Sequence, residues 1–82
     1  MRALVTGASG FVGHYLVRHL TECGDSVLAT IFPGSTLDPT LKVDSEQLDL
    51  SDLSRTTSVI NAFRPDVIYH LAGIAFVPEA EN

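Results

Sequence analysis

Three glycines at three-residue intervals, set between an apolar strand and a helical period, constrain this chain more than any other feature. The run is Thr6-Gly7-Ala8-Ser9-Gly10-Phe11-Val12-Gly13. Before it, Arg2-Ala3-Leu4-Val5-Thr6 reads as a short buried strand, and from Phe11 the apolar spacing becomes helical. Gly7 permits a tight turn off the strand. Gly10 leaves the backbone open to a pyrophosphate, and Gly13, one turn into the helix, allows close helix–strand packing. The first N–H groups of the helix and the positive end of its dipole then face the phosphates, and Ser9 adds a hydroxyl donor. The spacing is G-x-x-G-x-x-G, and no Lys follows the last glycine, which excludes a P-loop.

The rest of the chain continues the alternation. Phe11, Val12, Tyr15, Leu16, His19, Leu20 and Cys23 form the expected inward stripe of the first helix, and Gly24 stops it. Ser26 to Ile31 reads as a second strand. Pro33, Gly34 and Pro39 mark a loop over residues 32–41. Val43 to Leu48 gives a third strand, with Asp49 and Leu50 just past its end. Ser51 is the expected N-cap of a second helix and Asp52 suits its positive end. Leu53, Thr56, Thr57, Ile60 and Phe63 are expected on its inner face, and Pro65 ends it. Val67-Ile68-Tyr69-His70-Leu71 is the last strand and leads into Ala72-Gly73. The fold class is therefore α/β: a partial Rossmann fold, with a parallel sheet of about four strands in the order 3-2-1-4 and a helix on each face.

Composition narrows the partners. Eighty-two residues make one small domain, and 45% hydrophobic with 18% charged is globular, with no repeat or low-complexity segment. The net charge is −5, and the cations Arg2, Arg18, Lys42, Arg55 and Arg64 are scattered. That argues against nucleic acid and against an anionic membrane as partners. Cys23 is the single cysteine, so no internal disulfide or zinc cluster is expected, and the thiol is expected half-buried at a helix end. Met1 runs straight into a strand pattern without a leader, and no apolar run is long enough for a bilayer, so a cytoplasmic location is expected.

The motif Thr6-Gly-x-x-Gly-x-x-Gly13, Asp49-Leu50, and Pro65-Asp66-Val67-Ile68-Tyr69-His70-Leu71-Ala72-Gly73 together resemble the extended short-chain dehydrogenases/reductases. These are NAD(P)-dependent epimerases, dehydratases and reductases of nucleotide sugars. Gly10-Phe11-Val12-Gly13-x-Tyr15-Leu16 is similar to the GDP-mannose dehydratase and GDP-4-keto-6-deoxy-mannose reductase branch. The resemblance implies that Gly7, Gly10, Phe11, Val12 and Gly13 surround the pyrophosphate. It implies that Asp49 accepts from the adenine amino group and Leu50 offers a backbone N–H to the same ring. Leu71, Ala72 and Gly73 would lie beside the cofactor ribose. The alternative for Asp49 is a turn or capping carboxylate, and ordinary strand packing explains Leu71 and Ala72 equally well.

Two departures stand out. Catalysis in this family uses a Tyr-x-x-x-Lys pair, but Tyr15 is followed four residues later by His19 and Tyr69 by Gly73. No catalytic residue is assigned, no His, Cys or carboxylate cluster suggests a metal, and His14, His19 and His70 are expected to lie apart. The second strand ends Ala29-Thr30-Ile31-Phe32-Pro33, with neither the acid that holds NAD ribose hydroxyls nor an Arg for a 2′-phosphate. NAD and NADP both stay open, and the missing carboxylate tips the expectation towards NADP. The chain is expected to be the N-terminal part of a cofactor-binding domain, inactive alone, with a nucleotide sugar as a partner only in a full-length protein. A non-catalytic NAD(P)-sensing or scaffold protein, or an inactive truncated fragment, is the alternative. The Val67–Leu71 strand would form a bare apolar edge, inviting self-association.

Overall fold

A computed structural model describes residues 1–71 of the 82. Six elements follow in order: β1 (Arg2–Thr6), α1 (Phe11–Glu22), β2 (Ser26–Ile31), β3 (Asp44–Gln47), α2 (Leu53–Phe63) and β4 (Val67–His70). Every strand pair is parallel and the sheet order is β3-β2-β1-β4. The expected class, strand order and placement of helices are all observed.

The register explains the two layers. Ala3 aligns with Val27 and Val67, and Val5 with Ala29 and Tyr69, so these share one face; Leu4, Leu28 and Ile68 share the other. The first face lies under α1, where Ala8, Val17 and Leu20 close a core over Ala3, Val5, Val27, Ala29 and Ile31. The second lies under α2, where Leu4, Leu28, Leu48 and Val59 form a smaller core flanked by Leu50, Ile60 and Phe63. Central β1 is covered on both sides, which is why Ala3 to Thr6 are all buried. Each fully buried Leu or Val contributes about 1.5–3 kcal/mol relative to exposure.

α1 presents a different face from the one expected, while α2 keeps Thr56, Ile60 and Phe63 of the expected face and turns Leu53 and Thr57 outward. In α1, Gly13, Val17 and Leu20 are buried and Leu16 is half-buried, whereas Phe11, Val12, Tyr15 and His19 are exposed. At 100° per residue, positions 13, 16, 17 and 20 fall within one arc and the others lie opposite. Phe11 and Tyr15 meet edge to face on the outer side, with ring centroids 5.0 Å apart. Cys23 is exposed rather than half-buried, with Sγ 3.7 Å from His19 Nε2. In α2, Val59 is buried and Thr56, Ile60 and Phe63 are half-buried, while Leu53 and Thr57 face outward.

The start of α2 also shifts by one residue. Asp52, not Ser51, is the N-cap, and its carboxylate accepts the Arg55 N–H at 3.1 Å. Ser51 is drawn instead to Asp49, whose Oδ1 accepts its N–H at 3.0 Å and its hydroxyl at 2.7 Å. Such short-range side-chain turns compete with capping for the same residues. At the other end, Arg64 takes the left-handed conformation (φ 55°) before Pro65. Arg2 Nε donates to the Phe63 carbonyl at 2.7 Å, with its guanidinium 4.2 Å above the Phe63 ring, and this joins the end of α2 to β1.

Among the described residues β4 pairs with β1 alone, and Ile68 is 46% exposed. The ladder runs one residue past its end, since the Leu71 N–H donates to the Thr6 carbonyl at 3.2 Å. Among the described residues, no helix is long and apolar enough to cross a membrane.

Candidate functional site

The chain leaves β1 towards β2 and β3 on one side, then returns to β4 on the other. Carboxyl ends flanking such a switch point open a crevice in parallel sheets. The glycine loop stands at the mouth of this one. It is tied down from below: the Ala8 N–H donates to the Thr30 carbonyl at 3.1 Å, and Ala8 is buried. Thr30 Oγ1 donates to the Val5 carbonyl at 3.3 Å, and Thr6 Oγ1 lies 2.9 Å from His70 Nδ1. These bonds join the ends of β2, β1 and β4 into one frame.

The three glycines are there for three different reasons. Gly7 sits at φ +68°, a left-handed conformation that costs other residues energy. A Cβ on Gly13 would fall 2.6 Å from Ala8 Cα and 2.7 Å from the Ala8 carbonyl oxygen. Those are backbone atoms and cannot swing aside. Gly10 has φ −79° and ψ 173°, which any residue adopts, and among the described residues a Cβ there would meet nothing nearer than the Gly7 carbonyl oxygen at 3.7 Å. The fold needs Gly7 and Gly13 as glycines. It does not need Gly10.

Gly10 is the N-cap of α1, and no side chain caps this helix. Its first turn holds no acidic residue, and the helical ladder opens with the His14 N–H donating to the Gly10 carbonyl at 3.0 Å. The N–H groups of Phe11, Val12 and Gly13 precede that ladder and carry the positive end of the dipole. Beside them is a cleft of about 410 Å3 lined by Ala8, Ser9, Gly10, Phe11, His14 and Asp38. An anion is the complementary ligand for this place.

Asp38 was not legible as a site residue. It lies in the loop between β2 and β3, well past the end of β2, and its Oδ2 is 3.4 Å from His14 Nδ1. Hydrogen bonds from the Thr40 hydroxyl and backbone hold its carboxyl below the usual range, helped by the nearby His14 and Arg18 charges. The local signal was Asp38-Pro39-Thr40, which reads as a turn and nothing more.

Asp49 stands just beyond β3, and its hydrogen bonds from Ser51 keep its carboxyl below the usual range. Oδ1 thus serves a turn, while Oδ2 has no hydrogen-bond partner among the described residues. Leu50 is half-buried against the second core, and Leu71 against the first. Ala72 and Gly73 lie outside the described residues. His14, His19 and His70 are apart, beside Asp38, Cys23 and Thr6 respectively. A larger hollow of about 580 Å3 lies at the amino ends of the strands, among Arg2, Ser26, Asp44 and Phe63, and gathers none of the glycine-loop residues.

Residues 3–82 match the NAD dependent epimerase/dehydratase family. GDP-6-deoxy-D-talose 4-dehydrogenase of Aggregatibacter actinomycetemcomitans is 37% identical over 78 residues, which cover 95% of this chain and 23% of that protein. The UDP-glucose 4-epimerase of Thermus thermophilus, solved with NAD, superposes with a TM-score of 0.75 at 29% identity, over 88% of this chain and 24% of that one. The UDP-glucose 4-epimerase of Thermotoga maritima, solved with UDP-glucose, gives 0.76 at 27% identity, again over 88% of this chain and 24% of that one. The chain spans about a quarter of the length of the relatives it matches. The expectation of NADP finds no support among these three.

Proposed function

This chain belongs to the NAD dependent epimerase/dehydratase family, and on that premise we propose that it holds the adenosine–pyrophosphate part of NAD for a nucleotide-sugar epimerase, dehydratase or reductase. One observation carries the reading. Gly10 is bare at an uncapped helix start where the fold itself would tolerate a side chain. A glycine in such a place answers to something that must come close to the backbone.

In this reading Gly7, Ser9, Gly10, Phe11, Val12 and Gly13 cradle the pyrophosphate. Asp49, through Oδ2, and the Leu50 N–H hold the adenine edge, and Leu71, Ala72 and Gly73 flank a ribose. The residues fit a dinucleotide: open N–H donors for phosphate, and an ionised acceptor at the carboxyl end of β3 for an amino group. A bound nicotinamide supplies the hydride acceptor and donor for a sugar carbon. The GDP-sugar relative favours a GDP-linked substrate for the whole protein. Within residues 1–82 no Tyr-x-x-x-Lys pair exists, so this segment binds and positions the cofactor but does not itself move a proton to or from the sugar.

Calorimetric titration with NAD tests the reading. Saturable binding, with a rise in melting temperature at millimolar NAD, is the expected result. No heat and no shift with either NAD or NADP would sink it. The position of β4 at the end of the sheet, with no further strand beside it among the described residues, supports a second, smaller proposal, that the chain self-associates through Val67–Leu71. Sedimentation velocity at rising concentration should show a species heavier than the monomer, and Ile68→Lys should abolish it. A clean monomer throughout would refute the idea.

A further inference from the structure

We propose that Asp38 is the residue that selects NAD over NADP, by accepting hydrogen bonds from the ribose hydroxyls of the adenosine. The assignment rests on the cofactor reading above and extends it to a position where the end of β2 offers nothing, since Ile31-Phe32-Pro33 carries no carboxylate. Asp38 is the acidic residue that lines the cleft beside Ser9 and Gly10. It reaches that place from the middle of a loop.

The loop holds the carboxylate still. Leu37 and Leu41, on either side, pack against the first core. The Leu41 N–H donates to the Asp38 carbonyl at 3.0 Å. The Thr40 N–H and hydroxyl donate to Oδ1 at 2.8 and 2.7 Å. Oδ1 is therefore committed to the turn, and Oδ2 lies on the His14 side, which also lines the cleft. The root of this loop and the phosphate cradle share one frame, because the Ala8 N–H is bonded to the Thr30 carbonyl at the end of β2.

The chemistry then discriminates. A carboxylate is an acceptor, and the 2′- and 3′-hydroxyls of NAD are donors. The 2′-phosphate of NADP brings negative charge to the same acceptor and removes one donor. His14, the basic residue lining the cleft, already faces Asp38, so its charge when protonated is offset rather than offered to a phosphate.

The test compares NAD and NADP affinities, by calorimetry, for the protein and its Asp38→Asn and Asp38→Ala variants. Asn keeps an oxygen for the Thr40 turn and loses the charge. The expected result is NAD bound about tenfold more weakly by Asp38→Asn, with NADP unchanged or tighter, so that the NAD:NADP preference falls by about tenfold or more. A preference unmoved in both variants, while the protein itself still binds NAD, overturns the assignment, and equal loss of both cofactors counts as unmoved. Binding of neither cofactor by the unaltered protein overturns the cofactor reading, and this assignment with it.

Discussion

The two helices of this chain begin in opposite ways. At α2 the Asp52 carboxylate accepts the Arg55 N–H, and the terminus is closed by the chain's own acid. At α1 the N-cap is Gly10, no side chain bonds the first turn, and a cleft lies against it. A glycine at this position forgoes only about a few tenths of a kcal/mol relative to Ser, Thr, Asp or Asn, but it leaves the first N–H groups without a side-chain acceptor among the described residues. The same chain uses a side-chain cap at α2 and omits it at α1. In the proposed reading, the difference separates a terminus closed for stability from one left to receive an anion.

The comparison can be broken most violently at Gly13. Gly13→Ala drives a Cβ into the Ala8 backbone at 2.6–2.8 Å, so the loop must move. The expected cost is about 3 kcal/mol, which lowers the melting temperature by more than about 10 °C. A calorimetric scan within about 2 °C of the unaltered protein would show that the close approach is not needed. Asp52→Ala is gentler. It uncaps α2, costs about 1 kcal/mol, and leaves NAD affinity within about twofold, because the Asp52 carboxylate is committed to the Arg55 N–H and has no part in the proposed cofactor contacts. A large loss of NAD binding on titration would mean that the two helix starts do not differ as described.

Much of this was legible in the sequence. The strand–loop–helix context of Gly7, Gly10 and Gly13 declared the fold, because apolar runs such as Ala3-Leu4-Val5 belong in a parallel sheet covered on both faces. The rotation of α1 was not legible. Phe11, Val12 and Tyr15 are apolar and correctly spaced, yet Gly13 must sit against Ala8, and that single approach turns them outward. The α2 cap was missed by one residue because Asp49 claims Ser51 first. Asp38 was missed for a different reason. Its place at the cleft depends on Leu37 and Leu41 folding the loop back onto the core, a tertiary event that no local pattern records.

Gly10 remains the point on which everything turns. Gly10→Ala adds one methyl that meets nothing tighter than an ordinary contact with the Gly7 carbonyl oxygen among the described residues, and its effect on stability should stay within about 1 kcal/mol, since the loss of a glycine cap and the gain in chain rigidity nearly offset. Titration of NAD into this variant, beside the unaltered protein, tests the central claim most directly. The expected result is a folded variant, melting within about 8 °C of the unaltered protein, that binds NAD at least about tenfold more weakly, the equivalent of one obstructed phosphate hydrogen bond. Undiminished NAD affinity in Gly10→Ala would contradict it.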